Sequence, residues 1–371
     1  MTSSPWWWLL GTAELIALVV VSPRLWRAGR GGRRLREDDT DEVPVRDRDS
    51  GVSATAAISV VIPARNEATR IAGCLQALRD APLVREVIVV DDESTDDTAT
   101  IAKKHGARVV TGAPLPAGWV GKIWALQQGI DAATGDVVVT LDADTRPSNQ
   151  LPRAAADALR NSGATLATVA PRFRTTSMID QWVHAAMLTS LVYRHGAGAG
   201  RATTDAVANG QCMVFRRDDA VNGGWCERVR GSTVEDVALA RALVGEGSRV
   251  EMFDGTELLT VQMFAGVSDT VRGWGRSLSL SGVDRASRQI GDALLTALTL
   301  VAPTWLLVFG VATPVTAVLL LVRMGTLVGT RRAYEGATVG YWLSPLADMV
   351  AWLVVARGVV APSRQWRDRT Y

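Results

Sequence analysis

The stretch Val137–Pro147, VVVTLDADTRP, decides the fold of this chain. Its first five residues are apolar or β-branched and predict a buried strand. Asp142 and Asp144 follow, and because side chains alternate between faces in an extended chain, both carboxylates point the same way. Two neighbouring carboxylates repel each other unless a cation lies between them, and oxygen ligands suit a divalent cation. Ligands bind outside the carboxyl ends of strands in open α/β sheets, so the stretch predicts a site for a metal-held diphosphate.

The aspartate spacing on its own has little meaning. Asp39-x-Asp41 and Asp47-x-Asp49 have the same spacing, but both lie in a polar stretch that no strand pattern precedes. A bare D-x-D of that kind is typical of a solvated turn. The strand that ends at Leu141 is what distinguishes the third copy.

Strand and helix patterns alternate on both sides of this stretch. Strands are predicted over residues 58–62, 86–90 and 108–110, and helices begin near Glu67, Asp96 and Lys122. This alternation predicts an α/β fold with a mostly parallel sheet. Gly121-Lys122 stands where a helix begins, and its free N–H groups and the lysine charge attract phosphate. Neither G-x-G-x-x-G nor G-x-x-x-x-G-K-[ST] occurs, which argues against dinucleotide and P-loop sites.

The composition bounds the partners. The 40 Lys and Arg residues nearly balance the 38 Asp and Glu residues, so the charge does not indicate a nucleic-acid partner. Thirteen Trp residues beside 5 Phe and 4 Tyr indicate contact with a bilayer, since Trp favours the membrane interface. Three scattered cysteines have no metal-ligand spacing and indicate reduced thiols in the cytosol.

The N-terminal region predicts a membrane anchor. Trp6–Val21 is apolar apart from Glu14, and six arginines follow it between Arg24 and Arg36. The positive-inside rule then puts the N-terminus outside and the rest of the chain in the cytoplasm. Gly29–Ser53 has no hydrophobic period and is interpreted as a flexible tether.

The C-terminal region predicts further membrane segments. Ala293–Val322 is almost wholly apolar, and it forms either one tilted, kinked helix or a hairpin broken near Gly310–Pro314. A last apolar segment, Val339–Val360, contains Asp348, and an intramembrane carboxylate is a functional candidate by default. We therefore expect a multi-pass protein of the cytoplasmic membrane with its soluble domain facing the cytoplasm.

Three segments together resemble the nucleotide-sugar site of family 2 glycosyltransferases with the GT-A fold. They are SVVIPARNE at Ser59–Glu67, VVDDESTD at Val89–Asp96 and LDADT at Leu141–Thr145. The resemblance covers about Ile58–Arg276. It implies an inverting transferase that uses a nucleotide-diphosphate sugar and Mg²⁺ or Mn²⁺.

The resemblance also implies roles on the donor side of the site. The nucleoside would be held by Pro63, Ala64, Arg65, Glu67 and Asp92. Asp142 and Asp144 would bind the metal that bridges the diphosphate, and Lys122 would contact the diphosphate.

The second half of the domain supplies the acceptor side. Ala208–Phe215, ANGQCMVF, resembles the acceptor loop of the family and makes Gly210 and Gln211 acceptor-binding candidates. Glu235-Asp236 resembles the E-D motif of the family, which implies that Asp236 is the general base and Glu235 a second catalytic residue. Taken alone, two acids at a predicted helix start are simply favourable there.

The chain departs from the family after the base helix. Many relatives have Q-x-x-R-W there, whereas this chain has VRGWGRS at Val271–Ser277. Arg272, Trp274 and Arg276 are candidates for closing over the diphosphate. The same residues also suit an interfacial amphipathic helix, and the departure weakens the case for a processive polysaccharide synthase.

The short loops, the GKxWA sequence at Gly121–Ala125 and the C-terminal tail resemble the ceramide, hopanoid and carotenoid branch most. The tail, RQWRDRTY, has Asp368 where a W-x-G-R-x-Y ending has glycine. We therefore expect transfer of one sugar to a membrane lipid hydroxyl. The alternatives are a processive polysaccharide synthase and a catalytically silent membrane scaffold.

This interpretation divides the chain into five parts. They are an N-terminal membrane anchor (1–27), a flexible linker (28–56), a cytosolic GT-A catalytic domain (57–266), an interfacial helix (267–290) and a C-terminal membrane region with a basic tail (291–371).

Overall fold

The structure is a computed structural model of the 371-residue chain. It describes residues 5–29, 32–35, 53, 55–196, 206–262, 264, 266–280, 282–361, 365–366 and 369–370. Most of the expected linker and half of the C-terminal tail RQWRDRTY, including Asp368, lie outside the described residues.

The chain divides into two compact units. Residues 32–172, 198–262 and 364–371 form the sheet unit, and residues 1–31, 173–197 and 263–363 form the helical unit. Residues 173–197 therefore pack with the helical unit, although they lie within the expected catalytic domain. The five-part division remains a prediction.

The described strands follow the alternation that the sequence predicts. They are β1 Arg33–Arg34, β2 Ile58–Ala64, β3 Val84–Asp91, β4 Arg108–Thr111, β5 Val137–Leu141, β6 Thr145–Pro147, β7 Leu166–Ala170, β8 Arg172–Phe173, β9 Cys212–Arg216, β10 Val250–Asp254, β11 Leu259–Val261, β12 Gln365–Trp366 and β13 Arg369–Thr370. Eight of the described strands form one sheet in the order β1-β10-β7-β9-β5-β2-β3-β4. Within it β9 runs antiparallel to β5 and β7, and the other pairs are parallel. The mostly parallel α/β sheet is confirmed.

The strand β2 extends further than its sequence indicates. The sequence predicts that this strand ends at residue 62, but Pro63 and Ala64 pair with Val90 and Asp91 of β3. On the other side β5 pairs with β2 only as far as Val61. Pro63 therefore lies beyond that ladder, and its missing N–H breaks no hydrogen bond there.

Helices cover both faces of the sheet. In the sheet unit they are α2 Ile71–Ala77, α3 Thr98–Lys104, α4 Gly121–Ala132, α5 Leu151–Ser162, α7 Arg217–Asn222, α8 Trp225–Arg228 and α9 Glu235–Gly245. Val60 and Ile62 of β2 belong to one apolar cluster and Val61 to another. Because successive side chains point to opposite faces, the central strands are buried on both sides and read as continuous apolar runs.

The helical unit is built from apolar segments. Its α-helices are α1 Pro5–Gly29, α6 Met178–His195, α10 Val267–Ser279, α11 Ala286–Thr296, α12 Ala302–Val308, α13 Pro314–Thr330, α14 Val339–Trp342 and α15 Asp348–Val360. A π-helical turn, Ala297–Val301, joins α11 to α12, and 3₁₀ turns occupy Arg331–Ala333 and Ser344–Ala347. Among the two alternatives for residues 293–322, the hairpin is the one observed: the helix ends at Val308 and restarts at Pro314.

Three helical segments of the described residues are long and apolar enough to cross a membrane. They are Trp8–Gly29, Ala286–Val308 and Pro314–Ala333. The last apolar segment, 339–360, is broken by the Ser344–Ala347 turn and is not one of them. Asp348 within it makes an ion pair with Arg323, at 2.8 and 2.9 Å, and both side chains are buried.

The close approach of α4 to the sheet gives a test of the fold. A Cβ at Gly129 would lie 2.3 Å from Val61 Cγ1, whereas a Cβ at Gly245 would meet nothing within 4 Å. We expect Gly129→Ala to lower stability by about 1–3 kcal/mol through overpacking, despite the better helix propensity of alanine. Gly245→Ala is the matched control and should not lower it. Thermal melting of the detergent-solubilised chain measures both, and equal midpoints would contradict this packing of α4.

Candidate functional site

The D-x-D aspartates lie at the carboxyl end of β5, where a turn holds them. The Asp142 N–H donates to the Gln211 carbonyl at 3.1 Å. The Asp142 carbonyl accepts from both the N–H and the hydroxyl of Thr145, at 3.1 and 2.8 Å. The turn between β5 and β6 therefore fixes the backbone of both aspartates.

Lys122 joins the D-x-D aspartates to the E-D motif. Its Nζ lies 2.9 Å from Asp142 Oδ1 and 2.9 Å from Glu235 Oε1. Burial lowers the pKa of Lys122, but the two carboxylate charges more than offset this, so its pKa is raised. The lysine therefore stays protonated and neutralises one acid from each half of the sheet unit.

Asp144 has much less positive charge beside it. The nearest guanidinium nitrogen, Arg70 Nη1, is 3.9 Å from its Oδ2, and Arg70 also pairs with Glu67 at 2.8 Å. Burial, followed by the charge of Asp142, raises the pKa of Asp144 to about 7. Among the described residues, the buried Oδ1 of Asp144 has no hydrogen-bond partner.

Asp236 is the second residue of α9 and lies beside the loop before β9. Its Oδ2 accepts from the Gly210 N–H at 2.7 Å, and its Oδ1 accepts from the Val237 N–H at 2.8 Å. A Cβ at Gly210 would lie 3.1 Å from Oδ2, so the absence of a side chain lets the backbone approach. Burial, then the charge of Glu235, raises the pKa of Asp236 to about 7.

The first two family segments meet at the ends of β2 and β3. Arg65 Nη1 donates to the Asp92 carbonyl at 2.6 Å and lies 3.8 Å from the Asp92 carboxylate. The Asp92 N–H donates to the Ala64 carbonyl at 2.9 Å. Asn66 and Glu93 adopt positive φ angles, both 53°. The two turns are thus bonded to each other next to Pro63, where parallel strands leave a ligand crevice.

Hydrogen bonds also hold the loop that carries the acceptor-side candidates, Gly210 and Gln211. Gln211 is buried, and its N–H donates to the Asn209 side chain at 3.0 Å. The Asn209 amide in turn donates to the Val169 carbonyl and to Gln211 Oε1, at 3.2 Å each. The loop that carries Gly210 is therefore tied to β7.

Three candidates, Arg272, Trp274 and Arg276, belong to α10 of the helical unit. Trp274 is 5% exposed and meets the His184 ring edge-on, with centroids 5.3 Å apart. Arg272 is exposed. Trp274 therefore contributes to the apolar packing of its own unit, and the diphosphate role of the three residues stays a prediction.

Arg70 is a site residue that the sequence interpretation missed. It follows Glu67 by three residues, and its Nε lies 2.8 Å from the Glu67 carboxylate. The i,i+3 spacing was visible in the sequence, but its approach to Asp144 depends on how the turn before α2 meets the turn after β5.

The donor set at the D-x-D turn fits a divalent cation. Asp142 and Asp144 offer carboxylate oxygens, the hard ligands that Mg²⁺ and Mn²⁺ prefer, and Asp144 Oδ1 is buried without a partner among the described residues. A second group of side chains that could bind a metal lies in the helical unit. It consists of His195, Asp284 and Asp292, whose ligand atoms lie within 4.8 Å of one another. Arginines already face its two acids, since Arg194 is 3.4 Å from Asp292 and Arg288 is 3.4 Å from Asp284.

The sequence matches a known protein family and several curated proteins. Residues 59–222 match the family model described as Glycosyl transferase family 2. The chain is 26% identical over 235 residues to a 4,4'-diaponeurosporenoate glycosyltransferase of Staphylococcus haemolyticus, covering 61% of this chain and 62% of that protein. It is 27% identical over 234 residues to the protein of the same name from Staphylococcus aureus, covering 60% and 61%. The chain thus spans about three fifths of the length of these curated relatives.

Solved structures of glucosyl-3-phosphoglycerate synthase from Mycobacterium tuberculosis are also similar. A complex with Mn²⁺, uridine diphosphate and glucosyl-3-phosphoglycerate is 21% identical, covers 67% of this chain and 85% of its own, and has a TM-score of 0.43. A complex with Mg²⁺ and uridine diphosphate is 22% identical, covers 63% and 79%, and has a TM-score of 0.44. The family match and the mostly parallel sheet lead to one conclusion: the chain contains a glycosyltransferase family 2 domain, which residues 59–222 match, and this domain has the GT-A fold.

Proposed function

We propose that the chain is an inverting, metal-dependent glycosyltransferase that moves one sugar from a nucleotide-diphosphate sugar to a hydroxyl of a membrane lipid. One observation carries this proposal. Lys122 contacts Asp142 and Glu235 at 2.9 Å each, so the D-x-D motif and the E-D motif share one crevice. A donor and an acceptor held there would be adjacent.

The chemistry assigned to Asp236 follows from its position and its pKa of about 7. A carboxylate with that pKa is about half deprotonated near neutral pH and is still basic enough to accept a proton. As the acceptor oxygen forms its bond to the anomeric carbon, its proton passes to Asp236. The bond from the anomeric carbon to the phosphate oxygen breaks, and the nucleoside diphosphate leaves with the electron pair. A single displacement of this kind inverts the anomeric centre.

The nucleotide-sugar is assigned to the crevice beside β2, β3 and β5. Pro63, Ala64, Arg65, Glu67 and Asp92 would hold the nucleoside, and Asp142 and Asp144 would hold Mg²⁺ or Mn²⁺. A cation bound there neutralises the diphosphate and stabilises its charge as it leaves. Lys122 would donate to the same phosphates, since its ammonium group lies beside Asp142. Glu235 keeps that lysine in place.

The acceptor assignment rests on three supports. The curated relatives are named for a carotenoid-type acceptor, and the chain has three helical segments suited to a membrane. The arginines after Val21 favour a cytoplasmic catalytic domain by the positive-inside rule. Gly210 and Gln211 would line the acceptor side, because Gly210 contacts the base directly. Arg272 and Arg276 remain candidates for contacts with the departing diphosphate.

The decisive experiment is a transfer assay on the full chain. Detergent-purified protein is incubated with a panel of nucleotide sugars, Mg²⁺ or Mn²⁺ and total membrane lipid, and mass spectrometry detects new glycolipids. Addition of a single sugar that needs the metal supports the proposal and identifies donor and acceptor. A ladder of sugars on one product indicates a polysaccharide synthase, and no transfer with any donor indicates a silent scaffold.

The base assignment predicts the effect of Asp236→Asn. The amide cannot accept the proton, so we expect a rate about 10²–10⁴-fold lower with little change in donor binding. Because the base acts deprotonated, the wild-type kcat/KM should rise with pH and level off above its pKa of about 7. The exposed Asp218→Asn is the control. An unchanged rate of Asp236→Asn would refute the base role. An acceptor that reacts through a carboxylate has no proton to lose, and it would give this unchanged rate.

The metal assignment predicts how stability depends on pH in metal-free protein. The folded pKa of Asp144, about 7, exceeds its ordinary value of 3.8. Its contribution to stability is therefore complete below about pH 4 and is lost as the pH rises through 7. At pH 8 we expect Asp144→Asn to be more stable than wild type by about 1–4 kcal/mol, with the difference closing towards pH 4.

Added Mg²⁺ or Mn²⁺ should reverse this order. At pH 8 the ion should raise the melting temperature of wild type and of Asp218→Asn, but not that of Asp144→Asn, because only the first two keep both ligands. Melting curves with and without the ion measure this without any sugar transfer. An equal rise in all three proteins would place the ion elsewhere.

A further inference from the structure

A groove of about 460 Å³ runs along α1 and α11 of the helical unit. Its walls are mainly apolar, and its α1 side is formed by Ala13, Ile16, Ala17 and Val20. These residues are spaced three and four apart, so they form one stripe on the helix. Gly291, Leu295 and Leu298 form the facing stripe of α11 and of the turn after it.

One end of the groove is charged. Arg24 of α1 and Arg288 of α11 lie there together with Asp292, and the arginine side chains are 21% and 29% exposed. Asp292 is buried, and it faces Arg24 at 3.6 Å and Arg194 at 3.4 Å. Its charge is therefore already neutralised by guanidinium groups. Arg288 lies 3.4 Å from Asp284, so three arginines (Arg24, Arg194 and Arg288) face two aspartates, and this end carries a net positive charge.

Arg24 keeps donors for another acceptor. Among the described residues its contacts all involve Nη1, which lies 3.3 Å from the Tyr193 carbonyl and 3.6 Å from Asp292. A guanidinium group has five N–H donors, and those on Nε and Nη2 remain for a ligand in the groove. Planar guanidinium groups bind phosphate through two parallel hydrogen bonds.

The length of the groove matches one leaflet of a bilayer. Ala13 and Arg24 are eleven residues apart, which is about 16 Å along a helix. The hydrocarbon core of a bilayer is about 30 Å thick, so one leaflet measures about 15 Å. Arg24 lies near the end of one membrane-suited segment and Arg288 near the start of another, so both belong at headgroup level.

We propose that this groove binds one anionic membrane phospholipid, with its phosphate at Arg24 and Arg288 and an acyl chain along the apolar stripes. The ligand must be an amphiphile, because the positive end and the apolar walls are continuous. The proposal rests on α1 and α11 lying in a membrane. It does not rest on sugar transfer, so either can fail without the other.

The charged end is tested by native mass spectrometry of the full chain in detergent. The probes are phosphatidylglycerol and phosphatidylcholine with identical acyl chains. We expect phosphatidylglycerol to bind more tightly to wild type. In the double variant Arg24→Gln/Arg288→Gln the affinity for phosphatidylglycerol should fall at least about tenfold, since losing one charge-assisted hydrogen bond alone lowers affinity about tenfold. Arg27→Gln/Arg285→Gln is the matched control, since these exposed arginines lie nearby in sequence and do not line the groove.

The apolar walls are tested by filling the groove. A Cβ at Gly291 or at Gly325 would meet nothing within 4 Å, so Gly291→Leu and Gly325→Leu should both fold. Only Gly291 lines the groove. We expect Gly291→Leu to lose bound phosphatidylglycerol and Gly325→Leu to keep it.

Four outcomes would overturn the proposal. Equal binding of the two lipids would remove the phosphate contact, and equal losses in the two double variants would indicate only a general charge effect. Retention of lipid by Gly291→Leu would place the lipid elsewhere. Competition by glycerol phosphate alone would show that the acyl chain contributes nothing.

Discussion

The candidate site depends on one ammonium group placed between two carboxylates. Lys122 contacts Asp142 at the end of β5 and Glu235 at the start of α9, and these acids are more than ninety residues apart in the chain. Without that cation, two partly buried carboxylates would face each other, which is costly in a site of low dielectric. The lysine therefore keeps the two motifs in one crevice while no donor is bound. A diphosphate would give it a new partner without removing it from the site.

Two further acids in the sheet unit are not compensated to the same degree. Burial, followed by the charge of a neighbouring acid, raises the pKa values of Asp144 and Asp236 to about 7. Their ionised forms lower the stability of the protein, and a fold selected only for stability would have no use for them. Strongly shifted groups in a cleft are typical of functional sites. In the proposed function, a bound cation would relieve the cost of Asp144, and the raised pKa of Asp236 would suit it to accept a proton.

The sequence predicted the sheet well because both of its faces are buried. Continuous apolar runs at residues 58–62 and 137–141 have few alternatives in a chain where strands and helices alternate. The D-x-D motif could be placed because parallel strands end at one edge, and the E-D motif was placed by its resemblance to the family motif. The sequence did not show that Lys122 joins them, or that Arg70 approaches Asp144. Those contacts depend on the packing of α4 and α2 on the sheet, for which the periodic pattern supplies no distances.

In the helical unit the sequence predicted the apolar segments but not which helices pack against each other. Its apolar segments were visible in the sequence, but apolar side chains do not select which helices pair in a lipid environment. Polar contacts make that selection: buried Glu14 of α1 accepts from Thr316 at the start of α13 at 2.9 Å, and Arg323 of α13 pairs with Asp348 of α15. Leaving any of these groups unpaired in an apolar setting would be costly, so each contact excludes alternative pairings. Asp348, a functional candidate in the sequence, is therefore accounted for by the helix pairing that it fixes.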